Sequence, residues 1–302
     1  MHRKFLSGLW RLADPKISIT SVASMAIGAA LAWGTPGYSP SWLLLILLAL
    51  FALEVAKNAW GEIYDFDSGT DLAVRPEDRT DFSGGKRVLV DGLLSRGQTW
   101  AIAGMFGAVG LALGLLIVLL REPAVFWLGL GGAVLAWSYH GPPLQLAYRG
   151  LGELVVVLCY GPIIALGTYW VMTGSSSLVV VALSLPLGLL IAAFLWVNEF
   201  PDYLADVGAG KRNLVVRLGR RRAAQFLPII YLLAFALLVS LPWLVALPQT
   251  VALGLIAVPT ALLVCKWTLA DPEAWHRHKP VQPLALLTFV LYSAGVSIGS
   301  LW

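Results

Sequence analysis

The stretch NAWGEIYDFDSGTD, Asn58 to Asp71, closes an apolar run that begins near residue 42 and sets Glu62, Asp65, Asp67 and Asp71 at its end. Charge beside a hydrophobic segment is unfavourable unless it is paired or solvated, so this cluster calls for a partner. A second stretch, NEFPDYLADVGAGKR (Asn198 to Arg212), raises the same question. At roughly 100° per residue, Asn58, Glu62 and Asp65 share one helix face, and Glu54 extends that face a turn deeper. Asn198, Asp202 and Asp206, spaced four residues apart, also share a face. Asp67 points away, a turn at Gly69 brings Asp71 back, and Pro201 is expected to bend or end its helix.

Composition sets the solvent. Of 302 residues 58% are hydrophobic and 13% charged, about half the charge typical of soluble domains, and the mean hydropathy is +0.78. The chain reads as an all-α, polytopic membrane protein, a single domain over residues 1–302. Nine apolar stretches approach the length that crosses roughly 30 Å of hydrocarbon: about 17–33, 42–64, 98–120, 123–140, 151–172, 178–200, 223–241, 249–268 and 282–301. In lipid the backbone must satisfy itself, so these are helices. With nine spans, Arg121 alone among the 21 basic residues falls on one side. The positive-inside rule then puts the N-terminus in, the C-terminus out, and the long loops 65–97 and 201–222 in the cytoplasm. The N-terminal segment reads as leading into a first span rather than as a cleaved signal. A formal charge of +4 gives no reason to expect nucleic acid as a partner. Cys159 and Cys265 read as apolar packing residues, and the 13 tryptophans as lipid and interfacial anchors.

Both loops carry Asn, acid, Asp, Gly and base in matching order, on helices four apart, as in a weak internal duplication that places a site between halves. Hard divalent cations take oxygen ligands, and Mg²⁺ is usually held by one or two carboxylates with substrate phosphates and water. Two opposed carboxylate faces would therefore suit a magnesium diphosphate. Lys86 and Arg87 in SGGKR, with Lys211 and Arg212 in GAGKR, supply cations, and Gly84 and Gly85 let backbone N–H groups approach phosphate. Either cluster alone is equally well explained as interfacial solvation.

These motifs resemble the UbiA-type intramembrane prenyltransferase superfamily over nearly the whole chain. Asn58, Asp65, Gly69 and Asp71 match its first motif, and Asn198, Asp202, Asp206, Gly210 and Lys211 match its second. SGGKRVLVDGLLS, GPPLQLAYRGLGE and LVVRLG are similar to segments of the 1,4-dihydroxy-2-naphthoate branch, which departs from this chain in having Asn-Asp at the positions of Gly61 and Glu62. The resemblance implies helices around a central cavity, and transfer of an isoprenoid from a polyprenyl diphosphate to an aromatic acceptor inside the membrane. It implies Mg²⁺ held by Asn58, Glu62, Asp65, Asp71, Asn198, Asp202 and Asp206, with Asp65, Asp202 and Lys211 catalytic. Lys16, Lys86, Arg87, Tyr139, Tyr148, Arg149 and Lys211 would bind substrate.

Several of these carry a second reading. Lys16 is also explained as an interfacial anchor, Tyr139 and Tyr148 as an aromatic belt. His140 reads as a base or a helix cap, and Glu153 as the i, i+4 partner of Arg149. His276 and His278 read as a solvated loop. One alternative keeps the resemblance with another acceptor, 4-hydroxybenzoate or another lipid precursor; the rival from another class is secondary transport, which places ionisable groups near the bilayer midplane rather than at one face.

Overall fold

The computed structural model describes residues 2–245, 247–274 and 280–302, so His276 and His278 lie outside the described residues. Every regular element among the described residues is helical. In chain order these are α1 (His2–Ala13), α2 (Pro15–Ala32), α3 (Pro40–Asp67), α4 (Thr70–Ala73), α5 (Arg96–Leu120), α6 (Val125–His140), α7 (Gly152–Leu158) and α8 (Ile164–Thr173). There follow α9 (Leu178–Gly208), α10 (Leu214–Leu218), α11 (Arg220–Leu244), α12 (Val258–Ala270) and α13 (Val281–Gly299).

Eight described segments are long and apolar enough to span a bilayer, and each overlaps an expected span. The remaining expected span, 123–140, is α6, with 16 residues. At 1.5 Å per residue that is about 24 Å, short of the hydrocarbon thickness. Outward-facing Leu119, Trp127, Leu178 and Trp243 are largely exposed, as lipid-facing side chains of an integral membrane protein are.

Two boundaries differ from expectation. α3 runs on through Asp67, so Asp65 sits in its last turns rather than at the start of a loop. α9 carries Pro201 inside a continuous helix to Gly208 instead of breaking there. A proline removes one N–H, and neighbouring donors offset that in membrane helices. Arg220 adds a tie at this turn by donating to the Phe200 carbonyl at 3.0 and 3.2 Å; the carbonyl that Pro201 leaves free is that of Val197.

α9 is the buried mast of the fold. Its Leu187, Leu190, Phe194 and Phe200 meet Leu227 and Tyr231 of α11 and Phe289 and Tyr292 of α13. Between α7 and α8 the backbone passes through a π-type turn, Cys159–Ile163, where Gly161 departs from helical angles and Pro162 follows. α9 can approach that turn only because both crossing residues are small. A Cβ at Gly188 would collide with the Val157 carbonyl and come 3.2 Å from Gly161 Cα.

Gly188→Val is therefore expected to destabilise the bundle by about 1–3 kcal/mol through overpacking. Thermal melting in detergent should show a lower Tm; an unchanged Tm would contradict this close crossing.

Candidate active site

The ends of α3 and α9 converge on one ammonium. Lys211 follows α9, and its Nζ stands 3.4 Å from Asp65 Oδ1 and 3.9 Å from Asp206 Oδ1. Asp65 and Lys211, 146 residues apart in sequence, thus meet. Burial alone would push the Lys211 ammonium down, but the carboxylates of Asp65 and Asp206 lift it well above its ordinary value. Tyr148 donates its hydroxyl to Asp65 Oδ1 at 2.6 Å and lays its ring 5.4 Å from the Lys211 nitrogen. Burial, then the Asp65 charge, pushes that phenol up, so it stays a donor. His140 Nε2 is 3.6 Å from Asp65 Oδ2. Asn213, which caps α10 through Val216 N–H, donates to Asp206 Oδ2 at 2.8 Å.

The loop from Gly84 to Asp91 threads between the two acidic ends. The Gly84 backbone lies against the Asp202 carboxylate. Gly84 and Gly85 have φ of +91° and +73°, and a Cβ at Gly85 would strike the Asp71 carboxylate. Two glycines are needed here for conformation and for closeness. Glu62 Oε1 accepts the Leu89 N–H at 2.8 Å, so this acid anchors the loop. Lys86 pairs with Asp14; burial pushes its ammonium down against the pull of that carboxylate. Arg87, in the left-handed region at φ +57°, pairs with Asp91 at 2.7 Å, and Arg11 does so at the same distance. Lys16 donates to the Asp81 carbonyl and lies 5.2 Å over the Phe82 ring.

The acids outnumber the cations that reach them. Asp202 Oδ1 and Asp206 Oδ1 are buried without a hydrogen-bond partner. Burial first, then Asp65 and Glu62, push the Asp71 carboxyl up to about 8. Unpartnered carboxylate oxygens and uncompensated negative charge fit a hard divalent cation. No three His, Cys, Asp or Glu side chains among the described residues are grouped to enclose a metal by themselves. That leaves coordination positions for phosphate oxygens and water, the usual manner of Mg²⁺. Asn58 and Asn198 line the same cavity, held by Leu12 O at 2.8 Å and by Gln282 Nε2 at 3.0 Å.

From this polar end a cavity of about 1220 Å³ extends between the helices, walled by Ile164, Leu195 and the small faces of α6 at Gly129, Gly132 and Ala133. Lys16, Lys86, Arg87, Tyr139 and Lys211 line it; Arg149 and Tyr148 do not. Arg149 instead donates to the Pro143 carbonyl at 3.0 Å, away from the acids. The expected pairing of Glu153 with Arg149 is not formed: Glu153 is buried and accepts the Leu214 N–H at 2.7 Å. It lies against Glu199, which adds a buried acid beside Asn198. His140 could reach Asp65 only past a glycine, since a Cβ at Gly61 would stand 2.8 Å from its ring. The N-cap pattern of Asn213 before LVVRL was readable in sequence; the partners of Glu199 and Gln282 were not.

The profile of the UbiA prenyltransferase family matches residues 21–295. The 1,4-dihydroxy-2-naphthoate octaprenyltransferase of Mycobacterium tuberculosis is 31% identical, with 83% of this chain and 82% of that one covered. The 2-carboxy-1,4-naphthoquinone phytyltransferase of Synechocystis is 28% identical, covering 79% and 81%. Among solved structures, the apo UbiA homologue from Aeropyrum pernix superposes with a TM-score of 0.68 at 22% identity, over 93% and 97% of the two chains. A homologue from Archaeoglobus fulgidus bound to GPP and Mg²⁺ gives 0.61 at 18%, over 96% and 99%.

Gly85→Ala should shift Asp71 and raise the Mg²⁺ concentration for half-maximal activity about 10–100-fold, the range for disturbing a ligand's support. Helical circular dichroism should not change. An unaltered Mg²⁺ dependence would show that the Gly85–Asp71 contact has no part in the site.

Proposed function

The chain belongs to the UbiA prenyltransferase family, and we propose that it carries out Mg²⁺-dependent transfer of an isoprenoid from a polyprenyl diphosphate to 1,4-dihydroxy-2-naphthoate, as in menaquinone synthesis, at the cytoplasmic face. The observation that carries this reading is the single ammonium of Lys211 shared by Asp65 and Asp206, beside carboxylate oxygens with no partner. Support for the metal and donor comes from the Archaeoglobus homologue solved with GPP and Mg²⁺. Support for the acceptor comes from the names of the Mycobacterium and Synechocystis relatives.

Asp65, Asp71, Asp202 and Asp206, with Asn58 and Asn198 as neutral oxygen ligands, would hold the cation. Glu62, already accepting Leu89 N–H, would contribute less. Bound Mg²⁺ supplies charge neutralisation that lowers the barrier to departure of diphosphate. Lys211 and Lys86 orient the diphosphate by charge-assisted hydrogen bonds, and Lys16 and Arg87 extend that positive rim. The allylic C–O bond breaks with its electron pair going to the diphosphate oxygen. A ring carbon of the acceptor gives its π electrons to the new C–C bond. The ring then regains aromaticity by losing a proton, or carbon dioxide where the attacked carbon carried the carboxylate. Tyr139 and Trp60, on the cavity wall, present aromatic faces that stabilise allylic positive charge. The apolar wall accepts the chain and keeps water from the cation. Acids gathered at one end of the helices do not suit the transport reading.

Purified protein is to be incubated with a ladder of prenyl diphosphates, dihydroxynaphthoate or 4-hydroxybenzoate, and Mg²⁺ or chelator. Prenylated naphthalene should form only with Mg²⁺, and Asp65→Ala and Asp202→Ala should each lower turnover by more than about 100-fold. Product from the benzoate alone would remove the naphthoate assignment and leave prenyl transfer standing.

A further inference from the structure

The cavity carries a lysine and a glutamate, one turn apart on α3, that the diphosphate chemistry does not use. Lys57 lies on α3 two turns before Asp65, about 12 Å along the axis, and lines the cavity. Its ammonium is 3.5 Å from the Tyr160 hydroxyl and 6.0 Å from the centre of that ring. No ion pair within 4.0 Å joins it to any described carboxylate. Tyr160 is presented by the π-type turn before α8, which Ser24 Oγ pins by donating to the Tyr160 carbonyl. One turn before Lys57, Glu54 is buried and also lines the cavity. Its Oε1 accepts from Ser21 Oγ, and its Oε2 is buried with no hydrogen-bond partner.

A cation and an anion are thus fixed near each other by separate neighbours, Tyr160 and Ser21, without closing on one another. Glu54 Oε2 is left without a partner and the Lys57 ammonium has the Tyr160 hydroxyl at 3.5 Å, an unfavourable burial of charge that a ligand would relieve. The isoprenoid is neutral and bonds with neither group. The diphosphate has its own cation at Lys211, beside Asp65, two turns further along α3. The remaining occupant is the acceptor.

We propose that Lys57 and Glu54 form the recognition subsite for the acceptor, Lys57 pairing with a ring carboxylate while Glu54 Oε2 accepts a hydrogen bond from a hydroxyl on the same ring. The subsite therefore selects hydroxylated aromatic acids over neutral quinols and phenols. A carboxylate accepting from the hydroxyl also raises electron density at the ring carbons ortho and para to it, where an allylic cation attacks. This inference deepens the proposed reaction and rests on it.

The test uses the full-length protein in nanodiscs and reads binding rather than turnover. The probes are 1-hydroxy-2-naphthoate and its methyl ester, followed by quenching of tryptophan fluorescence, since Trp60 and Trp137 line the cavity. Wild type should bind the acid at least about tenfold more tightly than the ester, as a charge-assisted hydrogen bond allows. Lys57→Met should abolish that preference, Lys57→Arg should keep it, and Glu54→Gln should weaken the binding of both probes. All three variants should still bind an unreactive geranyl thiodiphosphate with Mg²⁺ as wild type does, which also reports folding. An acid preference that survives in Lys57→Met would overturn the proposal, as would weakened thiodiphosphate binding, which would make Lys57 a donor contact. A Lys57-dependent acid preference in a protein that fails to prenylate dihydroxynaphthoate would support the subsite while removing the naphthoate assignment.

Discussion

Two helices deliver carboxylates to one buried place, and a single lysine answers more than one of them. Lys211 sits within 4 Å of Asp65 from α3 and of Asp206 from α9. In a medium of low effective dielectric, such a contact is strong and an unanswered charge is expensive. The surroundings follow from that constraint. Tyr148 and Asn213 spend their donors on the two shared acids. The loop at Gly84 and Gly85 gives up side chains so that backbone can approach Asp202 and Asp71. Asp202 Oδ1 and Asp206 Oδ1 remain without a hydrogen-bond partner, which fits a hard divalent cation.

The rest of the bundle keeps that charge at one end and apolar space behind it. α9 is held by Phe289 and Tyr292 on one side and by Leu227 and Tyr231 on the other, so its acidic end has a fixed position. Small residues on α6, Gly129, Gly132 and Ala133, help leave the cavity of about 1220 Å³ between the helices. At the other end of α3, Arg121 ties the bundle by donating to the carbonyls of Gly37, Val171 and Met172. The acidic end and the apolar part of the cavity are separated along α3, with Lys57 and Glu54 between them.

The helices were legible because each apolar run exceeds what a soluble core element needs, and because acids at i and i+4 spacing mark one face. The convergence of Asn58–Asp71 with Asn198–Asp206 was legible because two like motifs ending apolar helices have few other ways to be satisfied. Pro201 does not end its helix, because one missing N–H leaves the rest of the α9 ladder in place as far as Gly208. Glu153 misled: Arg149 is its neighbour on a helix, but the helix begins only at Gly152, so the spacing has no face to act on. Gly61 stood out as a departure, and its reason, room for His140, exists only in three dimensions. The orientation of Lys57 into the cavity is not recorded in the hydropathy pattern, which does not show which way a lysine in mid-helix is turned.

The central claim is that the two acidic helix ends jointly hold one metal diphosphate. Equilibrium binding of an unreactive geranyl thiodiphosphate to the wild type, Asp65→Asn and Asp202→Asn proteins, with and without Mg²⁺, addresses it most directly. The account predicts tight binding only in the wild type with Mg²⁺, and comparable loss from either substitution. Binding that needs no Mg²⁺, or that survives neutralising one helix end, would contradict it.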